Sequence, residues 1–253
     1  MPPAIRIRII QRILEEQTSA SVRLLRERLK VNAMTLWRDL KRMEELGLVR
    51  RVRGGVMLAG VNEEPRFDAK LAAAGAAKAR IAAYAARRLV SAGDILMLEG
   101  GTTVAALLPE LKQEGLTLLT NSLPVLNRAR EAGGRLTAYG SGGLLREESG
   151  TLVGKEAVTF FSRRKADIFF MSATGWDAEH GLSDPNPQEI EVKQAMAASA
   201  ARVVCLLDSS KLGKRSLMEV LPLRRIQTLV SERDPGPDYK ALLRTNGTRL
   251  LIS

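Results

Sequence analysis

Val31-Asn32-Ala33-Met34-Thr35-Leu36-Trp37-Arg38-Asp39-Leu40 and, shortly after, Leu48-Val49-Arg50-Arg51-Val52-Arg53-Gly54-Gly55-Val56-Met57-Leu58 decide how this chain is read. Leu36 and Leu40 lie four apart, a spacing that puts both side chains on one helix face. Asn32 is a favoured N-cap type, and Gly47 suits the stop of a helix running from Ala33 to about Leu46. The second segment alternates apolar residues on either side of Gly54-Gly55, a hairpin signal. Upstream, Ile9, Ile10, Ile13 and Leu14 recur at helical spacing within residues 5–16. Thr18-Ser19-Ala20-Ser21 interrupts them, and Ser21 is placed to cap a short helix over Val22–Leu29. Three helices followed by a basic hairpin predict a winged helix-turn-helix over residues 1–58.

Such a head sets the first residues of its third helix against base edges in the major groove. Asn32, Ala33, Met34 and Thr35 are the candidates for that contact, since Asn reads adenine while Thr and Ala meet a thymine methyl. Arg38, Lys41 and Arg42 reach phosphates. Arg50, Arg51 and Arg53 on the wing follow the backbone or enter the minor groove. The charge distribution agrees. The chain carries a net +11 with a pI of about 10.2. Residues 1–60 hold 13 Lys/Arg against 6 Asp/Glu, a net of +7, so most of the excess sits in the first quarter of the 253 residues. A basic excess gathered in one segment attracts nucleic acid.

Residues 59–68, with Gly60, Asn62 and Pro65 and no periodicity, are expected to be a linker. Asp68–Leu89 is Ala-rich and reads as one helix. From Gly93 onward apolar runs recur at 95–98, 116–120, 135–139, 168–171, 203–207, 226–230 and 249–252. Helical segments separate most of them, at about 103–113, 122–132, 152–162, 187–200 and 236–244. Continuous apolar strands alternating with helices predict an open, mostly parallel α/β sheet covered on both faces over residues 69–253.

Four small-residue loops follow these strands: Glu99-Gly100-Gly101-Thr102-Thr103, Thr120-Asn121-Ser122, Gly140-Ser141-Gly142-Gly143 and Asp208-Ser209-Ser210-Lys211. Glycines let a backbone approach an anion closely, and N–H groups opening a helix, with Thr hydroxyls, hold phosphate. Ligands of open α/β sheets bind at the carboxyl ends of the strands, so these loops share one expected crevice. Asp184-Pro185-Asn186-Pro187 reads as a Pro-rich turn before the 187–200 helix.

The run from Val31 to Gly55 resembles the DeoR family of repressors, whose hallmark is V-S-x-x-T-I-R-R-D-L, then L-E-x-x-G, then R-V-H-G-G. Spacing is intact; Asn32 stands for the usual Ser, Trp37 for the first Arg and Arg53 for the His. The resemblance continues through D-x-G-T-T, T-N-S, G-G, E-x-x-x-K and D-x-S-K. These appear here as Glu99-Gly100-Gly101-Thr102-Thr103, Thr120-Asn121-Ser122, Gly142-Gly143, Glu189-Ile190-Glu191-Val192-Lys193 and Asp208-Ser209-Ser210-Lys211, with Glu99 in the place of Asp. It implies a sensor domain similar to ribose-5-phosphate isomerase and a phosphorylated sugar as effector. By position, Gly101, Thr102, Thr103 and Lys211 would hold phosphate, Asn121 would bond sugar hydroxyls, and Glu189 or Lys193 would close the site. A repressor of a carbohydrate operon would act as a homo-dimer or homo-tetramer on an inverted repeat in double-stranded DNA.

Two other readings compete. Glu99, Glu189, Asp208, Lys193 and Lys211 are types able to perform acid–base chemistry, as in a sugar-phosphate isomerase or deaminase with an accessory DNA-binding head. A nucleoid-type DNA binder would carry the basic head with no ligand. The one cysteine, Cys205, lies in an apolar run and forms no intramolecular disulfide, and His180 is the only histidine, in an expected surface turn. No metal, cofactor or catalytic residue is expected. Charges at Arg6 and Arg8 break any signal-peptide core, and no membrane span is expected, so the reading is cytoplasmic.

Overall fold

The computed structural model describes residues 2–17, 19–45, 48–52, 55–58, 67–72, 74–131, 136–179 and 181–253. Gly47, Arg53, Gly54, His180 and residues 59–66 of the expected linker lie outside the described residues. The chain divides into two compact units, residues 1–64 and 65–253.

The first unit runs α1 (Pro3–Gln17), β1 (Ser19–Ser21), α2 (Val22–Leu29), α3 (Ala33–Glu45), β2 (Val49–Val52) and β3 (Gly55–Leu58). Its core is Ile10, Leu14, Leu25, Leu29, Leu36, Leu40, Met43, Val49 and Val56. Both cap expectations are met. Ser21 Oγ accepts from the Leu24 amide at 3.1 Å and Asn32 Oδ1 from the Thr35 amide at 2.8 Å. The interruption before α2 is a strand: β1 pairs antiparallel with β3, which pairs with β2. That third strand explains Gly55. A Cβ there would stand 2.6 Å from the Ala20 carbonyl oxygen of β1. The sequence also gave no sign that Arg6 and Asp39 would meet. They form a buried two-pronged ion pair, at 2.6 and 2.8 Å, that ties α1 to α3.

In the second unit, α4 (Phe67–Ala72) and α5 (Gly75–Leu89) come first. The expected single Ala-rich helix is therefore two, with Ala74 between them at a left-handed φ of 53°. Since α4 opens at Phe67, the expected linker also ends inside a helix. Then follow β4 (Ile95–Leu98), α6 (Thr102–Ala105), β5 (Leu116–Thr120), α7 (Leu123–Glu131), β6 (Leu136–Gly140), β7 (Leu144–Arg146), β8 (Thr151–Val153) and α8 (Lys155–Ser162). The chain continues through β9 (Ala166–Met171), β10 (Gly175–Asp177), β11 (Gly181–Asp184), α9 (Pro187–Ser199), β12 (Ala200–Leu206), β13 (Met218–Glu219), β14 (Thr228–Ser231), α10 (Pro237–Thr245) and β15 (Arg249–Ile252).

The seven apolar runs form one parallel sheet in the order β15-β14-β12-β9-β4-β5-β6. Met97, Phe169, Met171, Val203 and Cys205 pack on one face, while Leu96, Leu98, Ile168, Phe170, Val204 and Leu206 pack on the other. Burial on both faces is why these strands read as unbroken apolar runs rather than as alternation. Two expectations for the connections fail. The 103–113 helix is only α6 plus a single turn at Leu108–Glu110. The 152–162 helix begins as β8, which pairs with β7 in a hairpin.

Candidate functional site

On the head, α3 has two faces. Leu36, Asp39, Leu40 and Met43 are buried. Asn32, Met34, Trp37, Arg38, Lys41 and Arg42 are exposed, with Ala33 and Thr35 half-buried at the start. The candidate base and phosphate contacts therefore share the solvent side of one helix. Trp37 is 38% exposed, so it has not turned into the core. Lys41 pairs loosely with Glu45 one turn on, at 3.9 Å. Arg50 and Arg51 lie on β2; their side chains, like Arg53, are outside the described residues.

The ligand crevice is fixed by topology. The chain runs outward from β4 to β5 and β6, then returns to β9 on the other side of β4. The strand order thus switches at β4/β9, where an open parallel sheet leaves a cleft at its carboxyl ends. Glu99 follows β4 and is buried there. Its Oε1 accepts from the Ser172 amide after β9 at 3.0 Å, and its Oε2 lies 3.2 Å from Lys193 Nζ. This folded-back carboxylate explains the paired glycines: a Cβ at Gly101 would run into Glu99 Oε1, and one at Gly100 into the Thr151 methyl.

Lys193, on α9, has three oxygens around its ammonium: Asp184 Oδ2 at 2.6 Å, Ser172 O at 2.9 Å and Glu99 Oε2. Burial disfavours its charge, but Asp184 and Glu99 outweigh that and hold its pKa well above the ordinary lysine range. Burial pushes the Glu99 carboxyl up, with Lys193 opposing. Glu189, at the start of α9, is met at 2.6 to 2.7 Å by Arg146, Ser149 and Thr151. Burial would raise its pKa, yet those hydroxyls, with Lys193 and Arg146, bring it below the usual carboxylate value. With their partners inside the protein, Lys193 and Glu189 read as framework of the crevice rather than as closing groups.

The other strand-end loops contribute differently. Ser122 Oγ accepts from the Val125 amide at 3.3 Å and so caps α7. Asn121 donates through Nδ2 to Leu152 O at 3.2 Å, while its buried Oδ1 has no hydrogen-bond partner. Asp208, after β12, uses Oδ1 on the Ser210 amide and hydroxyl; its buried Oδ2 likewise has none. Lys211 lies beside Asp208, its pKa lowered by burial and by Lys214 and Lys70 against the pull of Asp208. Thr102 and Thr103 are buried at the opening of α6, with Thr102 Oγ1 3.5 Å from Lys70 O. Gly142 and Gly143 are exposed, between β6 and β7.

Residues 74–233 match the DeoR C terminal sensor domain, and residues 6–60 match the DeoR-like helix-turn-helix domain. The chain belongs to the DeoR family of DNA-binding transcription regulators. It is 30% identical over 253 residues to the HTH-type transcriptional regulator GlpR of Haloferax volcanii, covering 99% of this chain and 98% of that one. It is 30% identical to the HTH-type transcriptional repressor GlcR of Bacillus subtilis, over 89% of this chain and 86% of that one. Ribose 5-phosphate isomerase from Plasmodium falciparum overlaps 53% of this chain and 52% of its own, at 19% identity and a TM-score of 0.39. Family membership sets the enzyme reading aside.

In this DeoR sensor domain the motifs led to one end of the sheet, but several partners went unread. Asp184 was taken for a turn residue and is a buried counter-ion. Arg146, Ser149 and Thr151 come from the β7–β8 hairpin, and Ser172 from the end of β9. Lys70 and Lys78 come from the Ala-rich segment. A lysine within an alanine run, at positions 70 and 78, was the one available signal. Cys205 is buried in the sheet and its thiol is pushed up by burial, as suits a packing residue. Among the described residues no His/Cys/Asp/Glu group is placed to hold a metal. No described helix is long and apolar enough to cross a membrane.

Proposed function

We propose that this DeoR-family regulator is a cytoplasmic repressor of a carbohydrate-metabolism operon, released from an inverted-repeat operator by a phosphorylated sugar. One observation carries the effector class. Two buried acceptors, Asn121 Oδ1 and Asp208 Oδ2, have no donor in the protein, at strand ends that also hold Lys211. A buried acceptor without a donor costs about 1–3 kcal/mol, and sugar hydroxyls are donors that would relieve it. Lysine and buried threonine hydroxyls suit a phosphate on the same molecule. From β5 to β12 is three strand spacings, about 14 Å, which side chains reaching inward narrow to the size of a sugar phosphate.

On this reading Glu99, Gly100, Gly101, Thr102, Thr103, Asn121, Ser122, Asp208 and Lys211 form the floor, Gly142 and Gly143 the outer rim, and Glu189 and Lys193 the frame. Asn32, Ala33, Met34, Thr35 and Trp37 meet base edges; Arg38, Lys41, Arg42, Arg50, Arg51 and Arg53 meet phosphates. Two copies, as a dimer or within a tetramer, match the two halves of the operator.

The test is retention of the chain's own upstream DNA during titration with a panel of sugar phosphates. Release by one compound at micromolar concentration, with its unphosphorylated sugar inert, is the expected result. DNA affinity indifferent to every member of the panel would defeat the effector assignment. Equal affinity for upstream and random DNA would defeat the operator reading.

A further inference from the structure

The Ala-rich segment places a second lysine-bearing layer against the crevice. Lys78, on α5, is 4% exposed, and its ammonium donates to the carbonyl of Lys70 on α4. The same Lys70 carbonyl lies within reach of the Thr102 hydroxyl, at 3.5 Å. At its other end α4 is held by the Phe67 amide, which donates at 2.9 Å to the carbonyl of Glu148. Glu148 precedes Ser149, one of the donors to Glu189. Helix α4, the first described element after residue 58, is thus fastened at both ends to loops of the crevice.

The charges here are out of balance. Burial lowers the Lys78 pKa most; Asp208 opposes, and Lys211 and Lys70 lower it further. Lys70, Lys78 and Lys211 therefore share one electrostatic neighbourhood with the single carboxylate of Asp208. Crowded cations in a desolvated site are relieved by an anion.

We propose that Lys78 is an anion-binding residue of the crevice and that the incoming phosphate competes with the Lys70 carbonyl for the donors that fasten α4. This rests on the reading that the crevice takes a phosphorylated ligand. Ligand oxygens accept from the Lys78 ammonium and the Thr102 hydroxyl, both donors leave Lys70 O, and α4 loosens. Occupancy is thereby reported to the chain that leads towards the head.

The test uses the full chain, with inorganic phosphate and ribose 5-phosphate as probes. Calorimetry reads binding, and amide hydrogen exchange of residues 67–72 reads the latch. In the wild type, saturation with a probe should speed that exchange. Lys78→Gln keeps a donor for Lys70 O but no charge; its probe affinity should fall about tenfold or more, the loss of one charge-assisted bond, with unliganded exchange unchanged. Lys78→Met should lose affinity likewise and show fast exchange before any probe is added. Both remove a crowded buried cation, and a wild-type thermal midpoint checks folding. If both variants bind probe as the wild type does, or if a bound probe leaves α4 exchange unaltered, the inference is overturned while the effector reading stands. If the wild type binds no phosphorylated probe, both fall.

Discussion

Lys193 shows how a buried charge becomes framework. An ammonium has three donors, and here three oxygens from Asp184, Ser172 and Glu99 surround it within 3.2 Å. Lys193→Met leaves two buried carboxylates facing each other, and removing one member of such a set costs about 3–5 kcal/mol. Urea unfolding of the variant should show that loss; a change under 1 kcal/mol would mean that water already reaches the site. Glu189 gives a prediction in pH. Its pKa is lowered in the fold, so the unfolded chain takes up its proton first as pH falls. Its stabilisation is complete above the ordinary carboxylate value, about 4.3, and is lost as pH drops through the lower folded value. Glu99, raised by burial, acts oppositely: its contribution is present below the ordinary value and is lost as pH rises through the folded one. Glu189→Gln should therefore flatten the acid limb of a stability–pH curve and leave the Glu99 limb in place. An unchanged acid limb would show that Glu189 is not held as described. These residues were legible as chemistry but not as partners. Lys193 and Glu189 stood in a motif; the groups that neutralise them lie 9 and 40 or more positions away on short elements with no periodicity.

At the scale of elements, the sequence was most readable where burial imposes a pattern. The seven strands of the sheet are continuous apolar runs because both faces are covered, and their positions came through. Elements of three or four residues did not, since so short a stretch holds barely two turns of either period. So β1, β7, β8, β10, β11 and β13 passed as interruptions, turns or helix. Alanine misled in the other direction. It is the best helix former, so Asp68–Leu89 looked continuous, and nothing in the run marked the left-handed turn at Ala74. Gly55 tests the strand that was missed. In a plain two-stranded wing it would be ordinary turn chemistry, and a larger residue there would be tolerated. Because β1 crosses it with the Ala20 carbonyl 2.6 Å from any Cβ, Gly55→Val should detach β1 from β3. Ser21, which caps α2 from the end of β1, would be displaced with it, and loss of a cap costs about 1 kcal/mol. Proton exchange of the residue 20 and 21 amides in the variant is the measurement; protection equal to wild type would return the head to two strands.

At the scale of the whole molecule, two units with separate cores carry separate chemistries on one chain. The basic excess lies in the head, and the buried polar layer lies at one end of the sensor sheet. Neither alone makes a switch. A ligand changes DNA affinity only through a difference in its own affinity for DNA-bound and free protein. The two effects are therefore one coupling free energy, and it acts equally in both directions. If a saturating sugar phosphate weakens operator binding by about thirtyfold, roughly 2 kcal/mol, then saturating operator must weaken sugar-phosphate binding by that same factor. Both halves can be measured at one salt concentration, which must be held fixed because phosphate contacts make DNA affinity fall steeply with salt. A simple competition for positive charge would mimic release, since any polyanion displaced by a phosphate compound gives the same trace. The two are separated by site. Arg42→Ala on α3 removes a phosphate contact from the head, so it should lower operator affinity and shrink the salt slope by about one unit while leaving the coupling factor intact. Direct competition predicts that the apparent coupling shrinks with it. An Arg42→Ala protein whose operator affinity falls but whose effector still shifts it by the wild-type factor is the signature of two sites joined through the fold.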